Sequence, residues 1–195
     1  LGRMTFNLTT VSRRVRTQWR PLTVSLRPSQ TMAPSGQWLP AFDDALLEWG
    51  QWCEQHPGAC VSVDLSAHWL LVAVADDPAE SWQHYYGLNG DELAQNWLIR
   101  SVDVGLSQLH CAMPRSLIDG IQDVASQHAV KVIWAGPWWV RDLQDHVADQ
   151  ISQGESIQPW SVQEPGLSVH ASLTWDAEVK PHVHLRQVWC EAEAA

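Results

Sequence analysis

The chain has 195 residues, of which 45% are hydrophobic and 17% charged, a composition typical of one folded domain with a substantial core. Its 22 acidic and 12 basic residues give a net charge of −10, and an acidic surface repels phosphate backbones, which argues against nucleic-acid binding. No run approaches the roughly 18 apolar residues of a membrane-spanning helix, and no secretory signal pattern is visible. We therefore expect a soluble, cytoplasmic protein.

Charge divides the chain into two parts. The first 30 residues carry six arginines and no acidic residue, so all the acidic residues lie in the remainder. We divide the chain into a basic N-terminal arm, residues 1–20, and a single α/β domain, residues 21–195. The arm either folds back onto its own acidic domain or contacts an acidic partner or the anionic inner face of a membrane. Its candidate partner-binding residues are Arg13, Arg14, Arg16, Trp19 and Arg20.

Hydrophobic periodicity predicts the first elements. Apolar and polar residues alternate over residues 22–26, as in a half-buried strand. Residues 40–53 begin with proline and carry apolar side chains at helical spacing, and the His-Pro-Gly sequence at 56–58 ends that helix. Two runs rich in valine and leucine, residues 60–64 and 69–75, predict a β-hairpin or two successive strands of one sheet.

The middle of the chain predicts a helix and then a βαβ unit. Asn89 or Asp91 can cap a helix whose apolar face extends to Leu98. Residues 109–134 predict a strand, a helix with Ile121 on its inward face, and a second, apolar strand. We expect the two strands to be parallel neighbours at the centre of the sheet, joined by a right-handed crossover.

The last third of the chain predicts one helix and three strands. The helix follows Gly-Pro at 136–137 and faces inward through apolar positions in residues 140–147. The strands occupy residues 157–162, 167–175 and 179–189. Together the elements predict an α/β fold with a mixed sheet and a central βαβ unit.

Known catalytic motifs are absent from the sequence. It contains no GxSxG, P-loop, GxGxxG or HExxH pattern, so it predicts no catalytic residue and no cofactor. His182 and His184 place two imidazoles on one strand face, as metal sites often require. However, Arg186 is the next residue on that face and nothing completes a ligand set, so we expect no metal. The cysteines form no CxxC pair and are expected to be free thiols: Cys53, Cys60, Cys111 and Cys190.

Tryptophan is unusually frequent, with 13 in the chain. Exposed indoles can stack on sugar rings or bases, so a tryptophan-rich ligand-binding module is one alternative function. The tryptophans are spread over every predicted element, however, and core packing accounts better for most of them. We expect surface roles for Trp82, Trp138 and Trp139, because neighbouring aromatic positions cannot all face inward.

One segment carries a family resemblance. Residues 61–75, VSVDLSAHWLLVAVA, resemble the opening hairpin of actin-like domains, in which an aspartate precedes a tight phosphate-contacting turn. Over residues 22–189 the pattern is similar to PilM- and GspL-type proteins, the cytoplasmic actin-like scaffolds of bacterial type IV pilus and type II secretion machines. Shared features are this hairpin, a helix ending at residues 96–100, the βαβ unit and a closing three-stranded section that begins near residues 160–164. The resemblance implies a truncated actin-like, ribonuclease-H-like domain.

The turn in this segment departs from the actin-like pattern. Ser-Ala-His at residues 66–68 replaces the expected glycine, and a Cβ obstructs the close approach of phosphate to backbone amides. The resemblance therefore implies a non-catalytic scaffold or adaptor that binds no nucleotide. We expect a membrane-anchored pilus or secretion component to add an extended segment to a strand edge or groove near Trp138 and Trp139. The alternative is a small nucleotide-dependent enzyme of actin-like fold that uses Asp64.

Overall fold

A computed structural model describes residues 21–30, 39–74, 82, 86–153, 159–175 and 181–189. Within these ranges the chain is a mixed α/β protein. Its elements are, in chain order, β1 Leu22–Leu26, α1 Asp43–Gln55, β2 Cys60–Leu65, β3 Leu71–Val74, α2 Gly90–Asn96, β4 Trp97–Val104, β5 Ser107–Pro114, α3 Arg115–Gln127, β6 Lys131–Pro137, α4 Val140–Gln153, β7 Trp160–Glu164, β8 Leu167–Trp175 and β9 Pro181–Trp189. A 3₁₀ turn, Ala67–Trp69, follows β2.

The described strands form three sheets rather than the single mixed sheet that we predicted. In the first sheet the order is β1-β2-β6 and both pairs are parallel. The second sheet, β3-β5-β4, and the third, β7-β8-β9, are antiparallel throughout. Parallel and antiparallel pairing therefore occur in different sheets.

Helices α1 and α3 cover the first sheet and confirm the predicted helical faces. Ala45, Trp49 and Cys53 lie one turn apart on α1 and are buried, because apolar residues four apart share one helix face. The indole N–H of Trp49 donates to the carbonyl oxygen of Ile121 in α3 at 3.0 Å, which satisfies a polar group inside an otherwise apolar contact. The first sheet and these two helices thus share one core.

The predicted βαβ unit is wrong in its pairing, although its three elements exist. Strand β5 contains Leu109 and pairs antiparallel with β3 and β4, whereas Val132 lies in β6 and pairs with Val61 of β2. Both hydrogen-bonding edges of β5 are therefore occupied, and residues 109–114 are all buried. The order of the elements along the chain predicts β6 as the neighbour of β5. The observed neighbours, β3 and β4, are instead determined by burial and long-range contacts.

Two further boundaries differ from the prediction. Helix α2 is capped by Asn89, whose side chain accepts a bond from the backbone N–H of Glu92, but it ends at Asn96. Trp97 and Leu98, predicted on its face, instead begin β4, since a short apolar run suits either element. The predicted strands 60–64 and 69–75 lie in different sheets, because the 3₁₀ turn between them redirects the chain.

The third sheet and α4 confirm the prediction for the last third of the chain. Leu167, Val169, Ala171 and Leu173 alternate along β8 and are buried, as expected for one face of a strand. They share a core with the inward face of α4, which is formed by Val140, Leu143 and Val147. Residues 157 and 158, with which the first of these predicted strands begins, lie outside the described residues.

Cys53, Cys60 and Cys111 are free thiols, as predicted, while Cys190 lies outside the described residues. Burial raises the pKa of Cys53 to about 11 and that of Cys111 to about 12. Both buried thiols are therefore protonated and unreactive at neutral pH. Among the helices in the described ranges, none has the length and hydropathy needed to cross a bilayer.

Candidate functional site at the carboxyl edge of the first sheet

The parallel strands of the first sheet end together. The register aligns Leu26 of β1 with Leu65 of β2, and Leu65 with Pro137 of β6. In open α/β sheets, ligands bind beyond the carboxyl ends of the strands. The turn that corresponds to the phosphate-contacting turn of actin-like domains lies at this edge, directly after β2.

The turn needs no glycine. Ser66 has φ −60° and ψ 143°, its hydroxyl accepts from the backbone N–H of His68 at 3.3 Å, and its own N–H donates to the carbonyl of Leu26 at 3.0 Å. The only non-glycine residue with positive φ in the described ranges is Ala129. Ser-Ala-His therefore folds into a 3₁₀ turn without backbone strain.

The side-chain carboxylate of Glu164 accepts hydrogen bonds from the donors of this turn. Oε1 of Glu164, the last residue of β7, accepts from the backbone N–H of Ala67 and from the indole N–H of Trp138, both at 2.7 Å. Oε2 of the same carboxylate accepts from the hydroxyl of Ser66. Three donors from two separated segments thus converge on one side chain from the third sheet.

The next residue of the β7–β8 hairpin also contacts the turn. The imidazole Nε2 of His68 lies 2.8 Å from the carbonyl oxygen of Pro165. A carbonyl oxygen only accepts, so Nε2 carries the proton and donates. The hairpin tip is therefore joined to the carboxyl edge of the first sheet through the side chain of Glu164 and the backbone of Pro165.

Asp64, the residue of the enzymatic alternative, lies next to this edge of the sheet. It is half-buried in β2; burial raises the pKa of its carboxyl group, and the positive charge of Arg141 opposes that rise. Arg141 also donates to the hydroxyl of Ser62 at 3.3 Å and lies 5.8 Å from the ring centre of Trp134. The adjoining turn, which an actin-like enzyme would use for phosphate, binds Glu164 instead.

The structure corrects two of the predicted surface residues. Trp139 is 0% exposed and packs 5.7 Å from Trp160, centre to centre, so it offers no docking surface. Trp82 is likewise buried. One of the two adjacent indoles faces inward and the other, Trp138, is half-buried and holds Glu164. Residues Arg13, Arg14, Arg16, Trp19 and Arg20 of the arm lie outside the described residues.

A groove of about 360 Å³ lies between the second sheet and the first. Its walls are β4 and β6, and Met113 and Ile118 contribute buried apolar surface. The complete lining is Leu98, Arg100, Ser101, Val102, Met113, Ile118, Gln122, Val132, Ile133, Trp134 and Ala135. Its aromatic lining residue is Trp134, and Trp138 and Trp139, near which the sequence predicts a docking edge or groove, do not line it.

The groove is bordered by strand edges. Consecutive residues of β4 (100–102) and of β6 (132–135) line it, although neighbouring side chains of a strand point to opposite faces. Within the described residues, β4 pairs only with β5 and β6 only with β2. Each strand therefore has a second edge beside the groove that is unpaired among the described strands.

The histidine pair forms a separate surface feature. His182 and His184 are exposed on β9, and Nε2 of His184 lies 2.9 Å from Oγ1 of Thr174. In the part of the chain that the structure describes, no three histidine, cysteine, aspartate or glutamate side chains cluster in a metal-binding arrangement.

No family model and no curated protein matches the sequence. Among solved structures, the chain is similar to the cytoplasmic domain of EpsL, an inner-membrane component of the type II secretion system of Vibrio cholerae. The TM-score is 0.38 and the sequence identity 15%, over 84% of this chain and 69% of the EpsL chain. A similarity of this size assigns neither a fold family nor a function.

Proposed function

We propose that the chain is a non-catalytic adaptor that binds an extended segment of a protein partner in the groove between β4 and β6. The observation that carries the proposal is the pair of strand edges that border the groove. An extended peptide binds such an edge by main-chain hydrogen bonds, while alternate side chains enter neighbouring pockets. The described stretches of β4 and β6 along the groove accommodate a segment of about five residues.

The charge of the groove indicates which side chains the bound partner segment carries. In a chain with 22 acidic residues, none of the residues that line the groove is acidic. Arg100 lines it and is exposed, and exposed Lys131 directly precedes the lining residues of β6. Complementary charge fixes the register and suppresses wrong partners more than it adds affinity. The segment should therefore alternate apolar side chains, for the floor, with carboxylates that face Arg100 and Lys131.

The sequence resemblance is the basis for proposing the kind of assembly to which the chain belongs. The similarity of residues 22–189 to PilM- and GspL-type scaffolds supports a bacterial type IV pilus or type II secretion-like machine as the setting, with an actin-like domain as the fold. The partner would then be a component anchored in the inner membrane. Glu164, which occupies the donors of the turn after β2, favours this proposal over a nucleotide-dependent enzyme that uses Asp64.

Site-specific photo-crosslinking in cells that produce the chain tests the docking site. A photoreactive residue replaces Ile133 (48% exposed) in the groove or, as the control, Leu106 (71% exposed), which does not line it. We expect the Ile133 probe to crosslink one protein through an extended acidic segment, and the Leu106 probe to crosslink none. Equal products from both positions, or no product at Ile133, would contradict the proposal.

Charge reversal gives the matched comparison. A synthetic peptide of the crosslinked segment is titrated into the chain and into Arg100→Glu/Lys131→Glu, with Arg186→Glu as the control for a change of exposed charge elsewhere. We expect the double variant to bind at least about tenfold more weakly, since like charges now face each other. Arg186→Glu should bind as the wild type does; equal affinity of all three proteins rules out charge selection at the groove.

A further inference from the structure

We infer that the turn after β2 and Trp138 form a carboxylate-binding site, which the chain fills with its own Glu164. The inference is independent of the docking groove, which shares no lining residue with it.

The donors form a built site rather than a chance surface contact. The side chain of Ser66 is 1% exposed, so its hydroxyl needs a partner inside the protein. It donates to Oε2, while Ala67 N–H and Trp138 Nε1–H both donate to Oε1 at 2.7 Å. Distances of 2.7 Å are typical of bonds to a charged acceptor.

The geometry of the donors favours a carboxylate. Two donors converge on one oxygen and the third on the other, which matches the two oxygens of a planar carboxylate. The three donors come from two segments more than 70 residues apart in sequence, and the acceptor comes from a third, so the site exists only in the folded chain. Removal of the Glu164 side chain leaves the donors directed at a space where a small carboxylate fits.

Rescue of Glu164→Ala by acetate tests the inference. The melting temperature is measured in sodium acetate and in sodium chloride of equal ionic strength, so that general salt effects cancel. Without acetate we expect Glu164→Ala to melt about 6–12 °C below the wild type, because three hydrogen bonds of about 1 kcal/mol each are lost. Acetate should recover part of this loss in Glu164→Ala and should leave the wild type unchanged, because a bound ion stabilises only the fold that binds it.

Two further variants and phosphate serve as controls for the acetate experiment. Ser66→Ala/Glu164→Ala lacks one of the three donors and should respond less to acetate than Glu164→Ala does. If Glu164→Ala does not fold, Glu164→Gln keeps the side-chain volume and should melt below the wild type, because an amide has one acceptor oxygen in place of two. Equal melting of Glu164→Gln and the wild type, an equal response of all variants to acetate, or rescue of Glu164→Ala by phosphate but not by acetate would overturn the inference.

Discussion

Trp138 donates its indole N–H to Oε1 of Glu164 at 2.7 Å, and this bond joins the start of the α4 region to the end of β7. The same oxygen also accepts from Ala67, so one carboxylate links the first and third sheets. The contact explains why Trp138 stays half-exposed beside a fully buried Trp139. Its indole lies where its polar N–H reaches an acceptor, as is usual for partly buried tryptophans.

Trp138→Phe should destabilise the fold more than Trp134→Phe. Both residues are half-buried, and both substitutions remove an indole N–H, but Nε1 of Trp134 has no hydrogen-bond partner among the described residues. The difference therefore isolates the bond to Glu164, which we expect to contribute about 1 kcal/mol, or about 2–4 °C in melting temperature. Thermal unfolding of the two variants measures it; equal losses would mean that the bond adds no stability.

Ile121→Asp tests the assignment of α3 to the core of the first sheet. Ile121 is fully buried, so the substitution places an unpaired carboxylate among apolar side chains. We expect a loss of more than about 3 kcal/mol in the free energy of unfolding. Urea denaturation measures the loss, with Gln122→Asp as the control, because Gln122 is exposed on the same helix. If Ile121→Asp unfolds at the same urea concentration as the wild type, α3 is not part of this core.

The buried thiols predict the behaviour of the protein at high pH. Burial raises the pKa of Cys111 to about 12 and of Cys53 to about 11, from 9.0. The folded chain holds these protons more tightly than the unfolded chain, so their contribution to stability is complete below pH 9 and is lost as the pH rises toward the folded values.

The melting temperature should therefore fall between pH 9 and 11 more steeply in the wild type than in Cys53→Ala/Cys111→Ala. Cys60→Ala leaves both buried thiols in place and should keep the wild-type slope. Melting curves recorded at closely spaced pH values provide the comparison. Parallel slopes in all three proteins would mean that the two thiols do not titrate with unfolding.

Sequence reasoning predicts local features of this fold well and partner choice poorly. The faces of α1 and α3 follow from apolar residues three and four apart, because helix faces depend only on local spacing. The strands that pair with β5 do not follow from local spacing. They are β3 and β4, one on each side, and burial of the strands decides this pairing.

The same limit applies to the candidate sites. Asp64 and the turn after it could be located from a local motif, but the motif predicts a hairpin, whereas Asp64 lies near the end of a parallel strand. Glu164 could not be found, because it lies 98 residues from Ser66 and no pattern around it differs from an ordinary hairpin end. The groove arises in the same way, from two strands that are distant in sequence and belong to different sheets.

Hydrogen exchange along β4 and β6 tests the docking proposal most directly. The chain is measured alone and with a saturating amount of the segment that the Ile133 probe crosslinks. We predict new protection of backbone amides within residues 98–102 and 132–135, because main-chain bonds to an added strand slow their exchange. Amides of β9, away from the groove, should be unchanged. Protection that is absent from β4 and β6, or that develops only outside them, would contradict the account.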